Sequence, residues 1–579
     1  MELLGNLPDR EQLRDLLGEG AVLGLEAADR YTHSARTVSD VLLYALDAER
    51  FVAIVSRYPQ AGRFVSAAEA VEVPLGAGCT PQSRHAAADS LWLVRSGPAR
   101  ESIRRRMLLC SPSVPLGEAA RMMARHGAEV VAVTDPEGRP LGAVTVAALR
   151  DRVATGEVSV EAPCRAIMHS GFPVLAPGFA TGAALLAMTR GRTCFAGITV
   201  NGAGDSPLQG IVTDRDLELY RGINPPLLLR EILDAREATD LARVRKQIEV
   251  MLADGMTEPP AVDWFCECLG ELYAAILERA IDLSRPESDD WPGCSTAKLD
   301  PSLAPCWILS GAAGRSELLA QILPEIAVVY RDPPPEGAAP AQSYFKQWAR
   351  RVLELLLACG LLTSRERQPP QALPACLSLP AWKRFFERLV TDPIGQDIYD
   401  SRTLFDLRPA AGDHALAAEL TDYLVELLRD HPVFIAVLAN DSMINLPPLT
   451  LFRDLVVESD RAEHETLDLT RTLLDPLADV GRVFALARYP LAEAATTRRL
   501  ERAAQSVRSR GALFSAAADA FRIGLYHRTG NAIREQSEGS LVRPASLSRY
   551  DQQVLKSCFR TVLDLLELTW ANFDSIRDL

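Results

Sequence analysis

The sequence predicts a multidomain α+β protein, and three observations predict it. The chain has 579 residues, too many for one hydrophobic core, so about three to five domains are expected. Residues 106–222 read as two copies of one β-α-β-β-α unit. From residue 341 onward, apolar residues recur at helical spacing, so this part is mostly α-helical. Apolar content of 48% and charged content of 24% are those of a globular protein.

Charge and cysteines narrow the partners. Net charge is -14 and the sequence pI is about 5.3, which argues against a nucleic-acid backbone as a general partner. The short basic clusters at 104–106 and at Arg498 and Arg499 are expected on solvated helix faces. No apolar run is long enough to span a bilayer. The first residues lack the basic and long apolar regions of a signal peptide. The eleven cysteines are scattered and odd in number. Only Cys266 and Cys268 are close-set, with no second pair or nearby His to complete a zinc site. Reduced thiols that mostly fill cores, and a cytoplasmic location, are the expectation.

In chain order, residues 1–75 suggest strands over 21–24 and 38–46. A helix over 48–58 follows, with Asp47 as its N-cap and Pro59 ending it. Residues 76–105, rich in Gly, Pro and Ser toward their start, read as a linker. The first repeat (106–155) has a helix over 116–126, a strand over 129–134, a turn over 135–138 and a strand over 141–145 that leads into a helix. The second (164–222) has a helix over 181–189, a strand over 195–200, a turn over 201–206 and a strand-to-helix segment over 208–217. Each unit needs a partner to bury its sheet. Over 223–290, apolar residues such as Leu228, Ile232, Val244 and Ile248 at helical spacing predict two or three bridging amphipathic helices. Further helices are expected over 341–359, 382–390, 415–428, 449–457 and 552–573.

Between the bridge and those helices, residues 291–410 hold the segment with most chemistry. Gly311, Gly314 and Arg315 form a Gly-x-x-Gly-Arg turn, then come Glu317 and an apolar, strand-like run over 326–330. Backbone N–H groups of such a turn can cradle phosphate. The outline resembles the active-site motif of polymerase-β-like nucleotidyltransferases, whose turn reads Gly-Ser-x-Gly-Arg and is followed by Asp-x-Asp. The resemblance implies nucleotide or phosphate contacts from Gly311, Gly314, Arg315 and Glu317. It puts Ala312 at the Ser position and Leu323 and Glu325 at the Asp positions. Nucleotidyl transfer needs Mg²⁺, a hard ion that takes oxygen ligands at short, strict octahedral distances. Leu323 supplies no oxygen, Glu325 is one methylene longer than Asp, and Pro324 restricts the backbone between them. Asp406, in Phe405-Asp-Leu-Arg408, stands where the family's third carboxylate would come from. Glu325 and Asp406 are thus the candidate catalytic pair, with Mg²⁺ required only if that site is active. The bland alternative pairs Asp406 with Arg408 or has it cap a turn.

The second repeat contains Gly210-Ile-Val-Thr-Asp-Arg-Asp-Leu217, which resembles the signature of CBS domains. The two repeats would then form one CBS pair. That resemblance implies an adenosyl ligand (AMP, ADP or ATP), with Thr213 on phosphate and Asp216 on ribose. An Asp suits ribose because it accepts from both hydroxyls. In the first copy the same positions are Thr145 and Ala148, so the ribose acceptor is lost and one strong site is expected. A purely structural pair is the alternative.

Several later segments, among them Tyr344-Phe345, Gly481-Arg-Val-Phe-Ala-Leu486 and Thr496-Thr-Arg-Arg-Leu500, resemble a bacterial family of signal-transduction nucleotidyltransferases. That family joins a cyclic-nucleotide-binding-like domain, a CBS pair, a PII-uridylyltransferase-like domain (291–410 here) and a helical C-terminal domain (411–579). By the same resemblance residues 1–75 are a shortened, partial β jelly roll lacking its early strands. In its phosphate cassette Leu25 replaces the ribose-binding Glu and Ser34 the phosphate-binding Arg, with Arg36 two residues late. The resemblance further implies a homodimer and a regulatory protein partner. Three readings remain open. One is a nucleotide sensor with an inactive output domain. Another is an active Mg²⁺-dependent transferase modifying a PII-like protein. The last is a scaffold in which every nucleotide site is vestigial.

Overall fold

The computed structural model describes residues 2–7, 10–16 and 33–36, then 107–573 apart from 178, 180, 218–223, 257, 287–303, 320–323, 333–337, 362–374, 394–397, 399–400, 448–457, 460–464 and 489–493. The chain divides into two compact units, 1–94 and 95–579. In the first, β1 (Glu2–Leu7), β2 (Arg10–Leu16) and β3 (His33–Arg36) form an antiparallel sheet with β1 in the middle. A hairpin therefore occupies a region where no early strand was expected. The Pro8-Asp9 pair between its strands is a turn signal. The strands expected over 21–24 and 38–46 and the helix over 48–58 lie outside the described residues, as does the helix over 449–457.

The second unit begins with the repeat. The first copy comprises β4 (Leu109–Cys110), α1 (Leu116–His126), β5 (Val130–Thr134) and β6 (Pro140–Thr145). The second comprises β7 (Val174–Leu175), α2 (Thr181–Arg190), β8 (Phe195–Thr199), β9 (Leu208–Thr213) and the turn α3 (Asp214–Leu217). Each sheet has a parallel pair followed by an antiparallel pair. Strand alternation explains the continuous apolar runs. Val131 and Val133 join Leu116 and Met123 in the core under α1. Val130 and Ala132, on the other face, meet Phe195, Leu208 and Ile211 of the second sheet. The two sheets thus bury each other, and each fully buried Val or Phe contributes about 2 kcal/mol. A Cβ on Gly197 would lie 2.7 Å from the Phe172 ring and 2.8 Å from Leu208, so a side chain there would wedge into this core.

Three helices then bridge onward: α4 (Pro225–Asp234), α5 (Ala238–Gly255) and α6 (Val262–Leu283). Most of α6 is buried, apart from a stripe that carries Glu267, Glu271 and Glu278, as befits a helix covered on several sides.

The next sheet has the order β12-β11-β10-β13, from β10 (Cys306–Ser310), β11 (Glu325–Tyr330), β12 (Ala375–Ser378) and β13 (Arg408–Gly412). Only the β11–β12 pair is parallel. The short helix α7 (Gly311–Gly314) leaves β10, and α8 (Ala338–Ala358), α9 (Leu379–Thr391) and α10 (His414–Asp430) cover the sheet. Trp382 of α9 donates from Nε1 to the Val328 carbonyl at 3.1 Å, and Tyr330 stacks on Phe345 of α8 at 4.4 Å.

The remaining helices are α11 (Pro432–Asp441), α12 (Asp475–Arg488), α13 (Thr496–Ser506), α14 (Gly511–Glu535) and α15 (Arg549–Phe573). A small sheet of β14 (Glu458–Ser459), β15 (Glu465–Asp468) and β16 (Leu541–Val542) accompanies them. Phe405 joins this region to the preceding sheet, 5.5 Å from both Phe386 and Phe434. Among the described residues, no helix is long and apolar enough to cross a membrane. The nine described cysteines are free thiols, all but one of them buried. Burial pushes Cys306, Cys376 and Cys558 up to about 12.

Candidate functional site

The site is built around α7. Gly311 has φ +58°, and a Cβ there would lie 2.8 Å from the Glu325 carboxylate. Gly314 is packed even more tightly: a Cβ would fall 1.8 Å from the Asp406 carbonyl oxygen. Both glycines are required by close approach, not by the turn alone. They bring the start of β11 and the lead-in to β13 against the same four-residue helix. Glu325 accepts from Thr403 Oγ1 at 2.9 Å and from Ser310 Oγ at 3.3 Å. Leu323 lies outside the described residues.

Asp406 follows a 3₁₀ turn (Arg402–Phe405) and precedes β13. Its residue is 1% exposed. Its carboxylate accepts from three arginines: Arg315 Nη1 at 2.6 Å, Arg482 Nη2 at 2.7 Å and Arg499 Nη1 at 2.5 Å. Burial opposes its ionisation. The guanidiniums of Arg482, Arg499 and Arg315 outweigh that and hold the carboxyl well below the usual range. Arg408 does not pair with it, unlike in the bland alternative reading. Arg408 Nη2 instead donates to the carbonyls of Ala313 at 3.1 Å and Gly270 at 3.4 Å, because β13 carries its side chain toward α6 and the back of α7.

Glu317 completes the cluster. Arg315 Nε donates to Glu317 Oε2 at 2.6 Å, and the Thr496 backbone N–H donates to Oε1 at 2.5 Å. Thr496 opens α13, whose N-cap residue Ala495 offers no capping side chain. A carboxylate 179 positions earlier in sequence therefore caps this helix and meets the positive end of its dipole. Farther in, Asp479 accepts from Arg482 Nη1 at 2.5 Å and from Arg402 Nε at 3.2 Å. Four arginines and three carboxylates make one buried network between the α7 sheet and helices α12 and α13.

The expected site residues Gly311, Gly314, Arg315, Glu317, Glu325 and Asp406 all come together around α7. Arg482, Arg499, Arg402 and Asp479 were not anticipated. Arg499 was expected on a solvated face, yet it is 3% exposed. Its neighbour Arg498 does stay near the surface, 3.5 Å from Glu267. The available signal was an Arg inside an apolar helical run, as in Val480-Gly-Arg-Val-Phe484, which needs a buried carboxylate. Among the described residues, no group of three His, Cys, Asp or Glu side chains is placed to hold a metal ion.

In the repeat, Thr145 Oγ1 accepts from the Ala148 backbone N–H at 3.1 Å and caps the following turn. Thr213 ends β9 at the equivalent place, and Asp216 falls in α3.

Family models match three stretches. Residues 100–155 match the CBS domain, 242–396 match "Putative nucleotidyltransferase DUF294", and 432–573 match "Putative nucleotidyltransferase substrate binding domain". The chain joins a CBS domain to the two DUF294 domains. The copy that follows the matched CBS domain repeats its strand order, which completes a CBS pair. The buried network is therefore a contact between the DUF294 domain and its C-terminal companion. No curated protein matches the chain. Solved CBS-domain structures match about a fifth of it. A CBS-domain containing protein from Agrobacterium tumefaciens is 28% identical, covering 20% of this chain and 84% of its own, with a TM-score of 0.18. A CBS domain protein from Pyrobaculum aerophilum, complexed with AMP, is 21% identical over 20% and 88% of the two chains, with a TM-score of 0.18. An uncharacterized conserved protein from Pyrococcus horikoshii is 22% identical over 21% and 88%, with a TM-score of 0.19.

Proposed function

We propose that this protein is a regulator whose CBS pair binds an adenine nucleotide and whose DUF294 domain is an output surface, not a working transferase. The observation that carries the second half is the state of Asp406. Both its oxygens are committed to guanidinium groups, in the place where a polymerase-β-like site would use them on Mg²⁺. Guanidinium and Mg²⁺ compete for the same lone pairs, and the ion needs several oxygen donors at short distances. Glu325, held by two hydroxyls, is a second donor, and Leu323 is none. This donor set does not fit the ion. In the Gly-x-x-Gly-Arg turn, Gly314 lets Asp406 approach and Arg315 bonds Asp406 and Glu317, the two carboxylates that meet α13.

The first half rests on the second CBS copy. Thr213 and Asp216 carry the motif that suits phosphate and ribose, whereas in the first copy Ala148, at the Asp216 position, has no acceptor. One nucleotide per pair is the expected stoichiometry. We extend the reading to a homodimer, a regulatory protein partner and a remnant jelly roll in residues 1–75, where the three-stranded sheet supports the last.

Calorimetric titration of the full chain with AMP, ADP and ATP, with and without Mg²⁺, tests this on wild type and Asp216→Ala. Mg²⁺-independent adenylate binding that disappears in the variant is the expected result. ATP binding that requires Mg²⁺ and survives Asp216→Ala would place the nucleotide at α7 and restore the transferase reading.

A further inference from the structure

The helix α6 touches three parts of the molecule, and its contacts form a continuous path from the second CBS motif to α7. At the CBS end, Trp264 packs on the core that holds Leu217, the last residue of α3, together with Leu185 and Met188 of α2. Its Nε1 donates to the Gly182 carbonyl in the first turn of α2 at 3.1 Å. The far end of α2 and the residues after it are fastened to the same helix. Arg190 Nη2 lies 2.9 Å from Glu267, and Arg192 Nη1 donates to Glu278 at 3.3 Å. α2 is thus pinned to α6 along its length.

Six residues farther along α6, Gly270 meets α7. A Cβ on Gly270 would lie 2.8 Å from the Ser316 side chain, and Ser316 has φ +58°. A non-glycine residue in this left-handed region costs of order 1 kcal/mol or more and persists only where its surroundings enforce it. The Gly270 carbonyl also accepts from Arg408, which bonds Ala313 of α7 as well. From Trp264 to Gly270 is six residues, about 9 Å of rigid helix. Asp263, beside Trp264, accepts from Arg522 Nε of α14 at 2.8 Å, so the same helix reaches the C-terminal domain.

We infer that α6 is the transmission element by which nucleotide at the Thr213–Asp216 segment alters the α7 turn and its contact with α13, with Trp264 as the input and the Gly270–Ser316 contact as the output. This rests on the sensor reading above and adds to it a route. A shift of α3 moves Leu217 against Trp264. Because α2 is tied to α6 at both ends, the shift is carried along α6 and not absorbed between the helices. At Gly270 there is no slack, so Ser316 and Arg408 must follow.

Hydrogen–deuterium exchange on the full chain, read at peptides covering 213–217 and 311–317, tests the route with AMP as the probe. In wild type, AMP is expected to protect 213–217 and to change exchange at 311–317 by about fivefold or more, the lower range of measured couplings. In Trp264→Ala the first effect stays and the second is lost. Protection at 213–217 with no change at 311–317 in wild type overturns the route, as does an undiminished response in Trp264→Ala. If AMP protects neither peptide, the sensor reading has failed. The route is then judged without nucleotide: Trp264→Ala must itself change exchange at 311–317, and an unchanged rate overturns it. Should Trp264→Ala not fold, the double variant Trp264→Phe with Arg192→Ala takes its place. It keeps the ring in the core, removes bridging bonds, and is judged by the same outcomes.

Discussion

At the residue scale the molecule turns on Asp406. A buried carboxylate shared by three arginines is costly to leave half-made, because removing one partner strands charges away from water. Asp406→Asn is expected to destabilise the full chain by about 3–5 kcal/mol, read as a lowered midpoint in thermal unfolding. A midpoint matching wild type would show that the network contributes little. The pH dependence has a definite sign. The carboxyl is held below its unfolded value of about 3.9. Between the two values only the unfolded chain takes up the proton, so stability falls as the solution is acidified. The contribution of Asp406 is fully present above about pH 4 and is lost as pH drops toward the native value. The gap in midpoint between wild type and Asp406→Asn should therefore be constant near neutrality and narrow below about pH 4. A gap that widened on acidification would contradict the assignment. This residue was visible in the sequence as a carboxylate at a meaningful position. Its partners were not, because Arg482 and Arg499 lie 76 and 93 positions away. Nothing local distinguishes a buried Arg from an exposed one except the apolar residues around it.

At the scale of elements, periodicity did most of the work. The helix expected over 116–126 is α1, and the strands of both CBS copies fall within a residue or so of the expected bounds. Strand alternation and helix spacing are local properties, so they were legible. The course of Phe405-Asp-Leu-Arg408 was not: a 3₁₀ turn ends at Phe405 and β13 begins only at Arg408. Arg402 and Asp406 both enter the buried network, and tertiary partners outweigh the local preference. The glycines of α7 give an element-level prediction. Gly314→Ala would force a Cβ to within 1.8 Å of the Asp406 carbonyl, which only movement of the β13 lead-in can relieve. It should destabilise by several kcal/mol, in the range of the most damaging single substitutions. Gly204→Ala, with nothing within 4 Å of its Cβ, should stay within about 0.5 kcal/mol of wild type. Similar losses for the two in thermal unfolding would show that the packing around α7 is looser than described here.

For the second unit as a whole, the buried network is a joint between the DUF294 domain and its C-terminal companion. Arg315 and Glu317 follow the Gly-x-x-Gly-Arg turn, and Asp406 was expected from sequence as a metal ligand. Here they bind Arg482, Arg499 and the first N–H of α13. That position 323 is a Leu, which supplies no oxygen, was readable from sequence. That Asp406 is held by arginines was not, because Arg482 and Arg499 come from the C-terminal domain. A joint of this kind holds the C-terminal domain against the α7 turn and leaves α6 to connect both to the CBS pair.

We propose that this joint has displaced any transferase chemistry. The most direct measurement is pyrophosphate release from each nucleoside triphosphate by the purified full chain, with Mg²⁺ and with Mn²⁺, alongside Asp406→Asn. No release above the protein-free blank is expected from either protein. Sustained, metal-dependent release by wild type that Asp406→Asn abolishes would contradict the proposal, and Asp406 would then have to exchange its arginines for a metal ion during turnover.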